Sequence, residues 1–436
     1  MYLLYSLFYA LALILSLPYW LVGMLRDGKY RAGLKERLGF VPQRLKLPDE
    51  NEKSIWIHAV SVGEVLAITS LLAALQAETS GMRVFVSTTT LTGQKLARDR
   101  FGESNVFYLP LDLPYPVNAF MRVIRPAMLV MAETEFWPNL LRLAKESGAH
   151  VAVVNARISD RSLPGYKRFR FLLHRALQHV DMFLAQTQTD SERLITIGAA
   201  PERVCVAGNL KFDIKAAAES GLSRALRHVL APEQRVVIFG STVEGEEALL
   251  IRCFKVVLRD FPQALIILAP RHPERFDAIA ELLRTSGVSF WRRSAWNSAP
   301  LAGGVLLLDT IGELASVYSL ADIAVVGGSF VPRGGHNILE PAQFAKPIII
   351  GPNYQNFRDI VLAFLAHDAL RVVQASQLPE TVLQLLQSPH ESERLGSRAW
   401  HVIQGGRGST QRTAQTLREL LERDTASNKK LGVPHA

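Results

Sequence analysis

At 436 residues the chain is too long for one ordinary core, so two domains are expected. A composition 48% hydrophobic and 20% charged excludes a disordered protein, and 49 Lys plus Arg against 40 Asp plus Glu give a formal net charge of +9. That excess favours acidic partners, whether nucleic acid, anionic lipid or a phosphorylated substrate.

The chain opens with "MYLLYSLFYALALILSLPYWLVGML", residues 1–25, which carries no charged side chain. As a helix this run extends about 38 Å, enough to cross a bilayer with some tilt. Pro18 would kink it, and Tyr19 with Trp20 suits an interface. Arg26, Lys29, Arg31, Lys35 and Arg37 follow the run, whereas a secretory signal carries its positive charge ahead of it. The positive-inside rule then keeps the bulk of the protein cytoplasmic. An uncleaved membrane anchor that spans is the expectation, with monotopic insertion and a cleaved signal as alternatives.

Beyond the anchor, short apolar runs alternate with amphipathic helical patterns. Strands are expected at 55–60, 82–87, 127–133, 151–156, 181–186 and 203–208. After a polar, Ala-rich stretch they resume at 235–240, 264–270, 304–309, 322–328 and 347–351. Runs this apolar, separated by helices, point to parallel strands buried on both faces. Two such series imply two doubly wound α/β domains, with the linker within residues 212–235. Cys205 and Cys253 lack metal-ligand spacing and are expected as buried, reduced thiols.

Ligands of such sheets bind beyond the carboxyl ends of strands, so the residues after each run matter most. In "HAVSVGE", Ser61 and Gly63 form a tight turn and Glu64 opens a helix. A carboxylate there is either ordinary first-turn helix chemistry or a general base, and the helix dipole by itself would lower its pKa. In "MAETEFWPNLL", Glu133 and Glu135 fall on one side if the strand continues, and Phe136 and Trp137 suggest burial. "NARISDRSLPGYKRFRFLLHR" interleaves Arg157, Arg161, Lys167, Arg168, Arg170 and Arg175 with aromatic residues. These suit phosphates or anionic lipid, or simply an exposed basic helix face, and no nucleic-acid motif accompanies them. Lys211 in "GNLKFD" is placed to stabilise a leaving phosphate.

In the second half, "FGSTVEGEE" sets Gly240, Ser241 and Thr242 before acidic residues entering a helix, fit to cap it or to bind an anion. Arg271 and His272 follow a strand in "APRHPERF". Gly312 turns the chain ahead of Glu313 and Leu314, a turn suited to showing backbone groups to a base. "GGSFVPRGGHNILEPAQFAKPIIIGP" supplies four glycines for close backbone approach, and Asn337 to cap a helix carrying Ile338, Leu339 and Glu340. A helix N-terminus binds phosphate and a carboxylate one turn later grips ribose hydroxyls, so the segment reads as a nucleotide cradle. His336 alone reads as a hydrogen-bonded structural histidine.

Taken in order, "SVGE", "ETEFWPN", "GNLKFD", "GSTVEGEE", "PRHPERF" and the glycine-rich segment resemble the 3-deoxy-D-manno-octulosonic acid (Kdo) transferases of Gram-negative bacteria. The resemblance implies a GT-B glycosyltransferase fold. Its parts would be the anchor at 1–25, an N-terminal Rossmann-like acceptor domain at 26–225, a C-terminal Rossmann-like donor domain at 226–425 across a cleft, and a variable tail at 426–436. It also implies inverting transfer of Kdo from CMP-Kdo to the lipid A precursor lipid IVA, in lipopolysaccharide biosynthesis at the cytoplasmic face of the inner membrane. Glu64 would take the proton from the acceptor hydroxyl, and Glu133 and Lys211 would stabilise the transition state. Arg271, His272, Gly312, Glu313, Leu314, Asn337, Ile338, Leu339 and Glu340 would hold CMP. Arg157, Arg161, Lys167, Arg168 and Arg170 would meet the phosphorylated lipid and the anionic membrane. No cofactor, metal or nucleic acid is expected. A transferase using a UDP-sugar and a non-catalytic, membrane-tethered nucleotide-binding module are the alternatives.

Overall fold

The computed structural model describes residues 1–26, 32–49, 51–79, 82–213 and 217–430. Lys29, Arg31 and the last residues of the expected tail lie outside the described residues. The chain divides into two compact units, Met1–Asp213 with Gly406–Ala436, and Ile214–Gly405.

The first unit is built on a seven-stranded parallel sheet of β1 (Ser54–His58), β2 (Arg83–Thr88), β3 (Val106–Tyr108), β4 (Pro126–Ala132), β5 (His150–Ala156), β6 (Met182–Ala185) and β7 (Val204–Val206). Its strand order is β3-β2-β1-β4-β5-β6-β7. Alternation along the central strands feeds two cores. Trp56, Leu129, Met131, Val151 and Val153 enter one, while Ile55, Ile57, Val130, Ala152 and Val154 enter the other. The helices used below are α1 (Tyr2–Arg26), α2 (Val62–Glu78), α3 (Pro138–Glu146), α4 (Leu163–Arg168) and α5 (Arg170–Leu177).

The second unit repeats the plan with β8 (Val236–Thr242), β9 (Leu265–Pro270), β10 (Phe290–Arg292), β11 (Gly304–Leu307), β12 (Ile323–Val326), β13 (Ile348–Ile350) and β14 (Arg371–Val372). Here the order is β10-β11-β9-β8-β12-β13-β14, again parallel throughout. Its helices include α6 (Glu247–Asp260) and the four-residue α7 (Leu339–Ala342).

The final helix, α8 (Ser409–Lys430), belongs to the first unit. Ala414, Leu417 and Leu420 join the core that also holds Val65, Ile68 and Leu72 of α2. Asp213 ties the crossing point, its carboxylate accepting from the amides of Gly408 (3.3 Å) and Thr410 (2.9 Å). The chain therefore re-enters the first unit at Gly406, where the sequence reading ran the second domain on to residue 425.

Two further expectations change. Cys253 is buried but Cys205 is exposed, because β7 is the outer strand of its sheet. At the N-terminus, no helix among the described residues is long and apolar enough to cross a membrane. The helix expected over residues 1–25 forms as α1, and its Tyr5 and Ser6 are bonded to the first unit. Tyr5 donates to the buried Asp112 carboxylate (2.9 Å), and the Asn139 amide reaches the Ser6 hydroxyl (3.0 Å).

Candidate active site

Each sheet reverses its winding once, between β1 and β4 in the first and between β8 and β12 in the second. A crevice opens at such a switch point, past the carboxyl ends of the strands. The sequence-predicted residues cluster at these two places.

In the first unit, β1 runs into Ser61, the N-cap of α2, with Glu64 in the first helical turn. The Glu64 carboxylate turns back on this start. It accepts from the Val60 amide and from the Ser61 hydroxyl, each at 2.8 Å. The carboxylate thus ties the chain just ahead of the helix to its first turn. The side chain is only 8% exposed. Burial, then the charges of Glu133 and Glu135, raise its pKa to about 7 against the pull of the two hydrogen bonds. The dipole argument from sequence pointed the other way. Desolvation and two negative neighbours outweigh a helix terminus, leaving a carboxylate that exchanges its proton near neutral pH.

Glu133 follows β4, but not as a continuing strand. The strand ends at Ala132 and Glu133 adopts a left-handed φ of 59°, its amide donating to Val154 O (2.8 Å). Alternation is thus not what gathers the acids; the turn is. Lys211 Nζ donates to the Glu133 carboxylate at 2.8 Å. The lysine sits just past β7 on a turn braced by amide side chains. Asn209 Oδ1 accepts from the Lys211 amide (2.9 Å), and Asn209 Nδ2 donates to Gln186 Oε1 (2.9 Å). Gln186 in turn donates to Asn155 O (3.0 Å), and Asn155 Oδ1 accepts from the Leu210 amide (3.0 Å). Sequence reasoning singled out none of these three amides as a brace, since each becomes one only when β5, β6 and β7 lie side by side.

The basic stretch lies beside this cluster. Tyr166 of α4 packs edge-on to Phe136, and Thr134 Oγ1 donates to Arg157 O (2.8 Å). Arg161, Lys167, Arg168 and Arg170 are exposed around α4 and α5, while Arg157 is half-buried.

In the second unit, Arg271 and His272 leave β9, and the Arg271 amide donates to Thr242 O at the end of β8 (2.9 Å). Gly327 and Gly328 leave β12 alongside. A Cβ on Gly327 would lie 2.7 Å from Thr242 Cα, and one on Gly328 would lie 2.7 Å from the His336 ring. These close approaches explain the glycine pair. Glu246, fully buried, accepts from the amides of Val243 (3.0 Å), Gly328 (3.0 Å) and Phe330 (3.1 Å). Glu246 of "GSTVEGEE" therefore fastens the glycine loop to the start of α6. Among the three acids of that run, only the fold singles out this one.

Glu313 ion-pairs with Arg293 (3.1 Å) and is bonded by the Thr310 hydroxyl, while its carbonyl accepts from the amides of Ser316 and Val317 (each 3.2 Å). Asn337 Oδ1 accepts from the Leu339 amide (3.1 Å), and its Nδ2 reaches Glu340 (3.3 Å). Ile338 and Leu339 are buried. The expected helix here is only the short α7, so the phosphate-binding argument from a helix dipole weakens and the side chains carry more of it. Two side chains nearby are left open to a ligand. Thr242 Oγ1 and His336 Nε2 are buried polar atoms without a hydrogen-bond partner. Burial, then Arg271 and His272, depress His336 to about 4, so it offers a neutral ring beside two basic side chains. His336 is thus not the satisfied structural histidine that the sequence suggested.

The model of the family described as 3-deoxy-D-manno-octulosonic-acid transferase (kdotransferase) matches residues 32–214. The 3-deoxy-D-manno-octulosonic acid transferase of Haemophilus influenzae is 35% identical over 96% of this chain and 99% of its own. The chain belongs to the Kdo transferase family. That of Bordetella pertussis is 36% identical over 90% of this chain and 94% of its own. The crystal structure of UDP-GlcNAc 2-epimerase from Neisseria meningitidis, bound to UDP-GlcNAc, is 12% identical with a TM-score of 0.51, covering 84% of this chain and all of that one. That likeness shows the fold, the pair of Rossmann-like sheets of the GT-B class. The Kdo transferase is accordingly a glycosyltransferase of lipopolysaccharide biosynthesis, and the motif-matched residues fall at its two switch points.

Proposed function

We propose that this Kdo transferase moves Kdo from CMP-Kdo to a primary hydroxyl of lipid IVA with inversion, at the cytoplasmic face of the inner membrane. One observation carries the reading: a buried carboxylate, Glu64, titrating near 7 next to the Lys211–Glu133 ion pair. Glu64 takes the acceptor's hydroxyl proton as that oxygen bonds to the anomeric carbon. The bond from that carbon to the CMP phosphate oxygen breaks, and its electron pair leaves with CMP. Lys211, held by Glu133, offsets negative charge developing in the transition state.

On the donor side the leaving group carries a single phosphate. Arg271, His272 and the unpartnered Thr242 and His336 groups suit such an anion without a divalent ion. The main chain of Gly312, Glu313 and Leu314 addresses the base, and Glu340, held by Asn337, addresses the ribose. Arg157, Arg161, Lys167, Arg168 and Arg170 lie beside the loop carrying Glu133 and Glu135, as a phosphorylated lipid acceptor would require.

Mass spectrometry of lipid IVA incubated with the full chain and CMP-Kdo, or with UDP-sugars, tests the reading. Kdo addition from CMP-Kdo alone, undiminished by a chelator, is the expected result. Transfer from a UDP-sugar would overturn the donor assignment. Unchanged transfer by Glu64→Gln would overturn the role of the base.

A further inference from the structure

Helix α1 carries its polarity inside out. Tyr2, Tyr5, Ser6 and Tyr9 face the protein, while Leu3 (84% exposed), Leu7, Phe8 (68%), Leu11, Ile14 and Leu15 (72%) face away. In water this arrangement hides the groups that hydrogen-bond and presents those that do not, against the ordinary amphipathic pattern. It fits a helix whose outer side meets hydrocarbon.

The inner side is bonded in detail. Tyr2 Oη donates to Arg175 O (3.1 Å), meets His179 Nε2 (2.7 Å) and lies beneath the Arg142 guanidinium. Tyr5 donates to Asp112, whose carboxylate also caps α3 through the amides of Asn139 (3.1 Å) and Leu140 (2.7 Å). Tyr9 stacks on Tyr5 with ring centroids 5.8 Å apart. These bonds hold the first turns of α1 on the same unit that its far end leads into. Leu34–Arg37 packs there, with the Leu111 amide donating to Arg37 O (2.8 Å). A bilayer-crossing α1 would carry Tyr2, Tyr5 and Ser6 to the opposite side of the membrane and strip a donor from the buried Asp112 carboxylate.

The exposed apolar strip also has a basic continuation. Tyr2 touches α5, and Phe169, Phe171 and Leu172 at the start of that helix are exposed among Lys167, Arg168 and Arg170. Apolar side chains ringed by lysine and arginine are the chemistry of an anionic lipid surface. A second copy of the chain would set these same cations against each other.

We infer that α1 lies flat in the lipid interface with both of its ends on the side of the catalytic unit, so that the protein enters one leaflet and does not span. The inference deepens the membrane reading proposed above, and its test is independent of sugar transfer. A full-length chain with a short N-terminal extension bearing one cysteine is expressed in the inner membrane of a Gram-negative host. It is then treated with an impermeant maleimide in spheroplasts and in inverted vesicles. The exposed Cys205 reports the side of the catalytic unit. Both thiols are expected to label in inverted vesicles and neither in spheroplasts. Labelling of the N-terminal cysteine from the face opposite to Cys205 overturns the inference.

A second arm asks what covers the strip. The wild-type chain should float with vesicles of phosphatidylethanolamine and phosphatidylglycerol. Leu4→Asp, Leu7→Asp and Ile14→Asp together should weaken that binding on the order of a hundredfold. Transfer to detergent-dispersed acceptor should be retained, since those side chains point away from the fold. A lipid-independent dimer, or a triple variant that still floats, would count against the lipid interface. Loss of transfer by the parent chain would instead strike at the proposed reaction alone.

Discussion

Replacing Glu64 by Gln separates stability from activity. The carboxyl titrates at about 7 instead of the ordinary 4.5, because of burial first and then Glu133 and Glu135. At about 1.36 kcal/mol per pH unit, that gap is worth about 3 kcal/mol. Between the two values the folded protein holds the proton and the unfolded chain does not, so the free energy of unfolding falls as pH rises. The cost is absent below the lower value and fully present above the upper one. A glutamine keeps an acceptor oxygen for the Val60 amide, turns its NH2 to the Ser61 hydroxyl, which can accept, and bears no charge. The variant should therefore be more stable than the parent by up to about 3 kcal/mol in mild alkali, and equal to it in acid below the unfolded carboxyl's pKa. Transfer should fall by roughly 10²–10⁴ in the same variant. Urea unfolding of parent and variant across this range measures the first quantity, and initial rates of Kdo transfer measure the second. The parent's kcat/KM should rise about tenfold per pH unit up to neutrality and then level. A stability difference that does not change with pH, together with a flat parent rate profile, would refute the reasoning.

Lys211→Met leaves the Glu133 carboxylate without its cation, and kcat should fall on the order of 10²–10³ while CMP affinity stays unchanged, as calorimetry would report. Thr242→Val and His336→Phe each remove a buried polar group that lacks a partner in the protein while keeping most of the side chain's volume, so neither should greatly destabilise the second unit. Each should weaken CMP binding by roughly 5–100-fold, and unaltered binding would show that these atoms do not meet the phosphate. Glu246→Ala leaves the Gly328 and Phe330 amides without their acceptor and should cost about 3 kcal/mol. Faster hydrogen exchange at those two amides would locate the damage in the glycine loop.

Much of this was legible in sequence because doubly wound sheets write themselves as repeated apolar runs. All eleven expected strands formed. β3, β10 and β14 escaped notice because they are only two or three residues long and lie at sheet edges. Candidate residues were singled out where chemistry followed a strand directly, as at Glu64, Glu133, Lys211 and Arg271. The misses share a cause. Asn155, Gln186 and Asn209 act through pairings between neighbouring strands, and Glu246 through a loop more than eighty residues away. Nothing local distinguishes them from ordinary polar residues. The orientation of α1 was illegible for a similar reason. Its apolar residues form a continuous count in sequence, and only the docking of Tyr2 and Tyr5 shows which side is turned inward.

The placement of the lysine decides what the acids of the first unit can do. Asp181 shows the alternative within the same chain. Burial pushes it up, but the His150 ring 3.7 Å away and hydrogen bonds from Lys145 and the Val151 amide outweigh that and hold it at about 2. Such a carboxylate is permanently ionised at neutral pH and too weak a base to be useful. Glu64 also has two hydrogen-bond donors, yet both are neutral, and its nearest charges are negative. Lys211 binds Glu133 at 2.8 Å, one carboxylate removed from the base. Glu133 is therefore occupied by its ion pair, while Glu64, bonded only by neutral donors, is raised to about 7. A left-handed residue at the end of β4 is the local strain that makes this division possible, because a continued strand would not turn the Glu133 carboxylate toward Lys211 in this way.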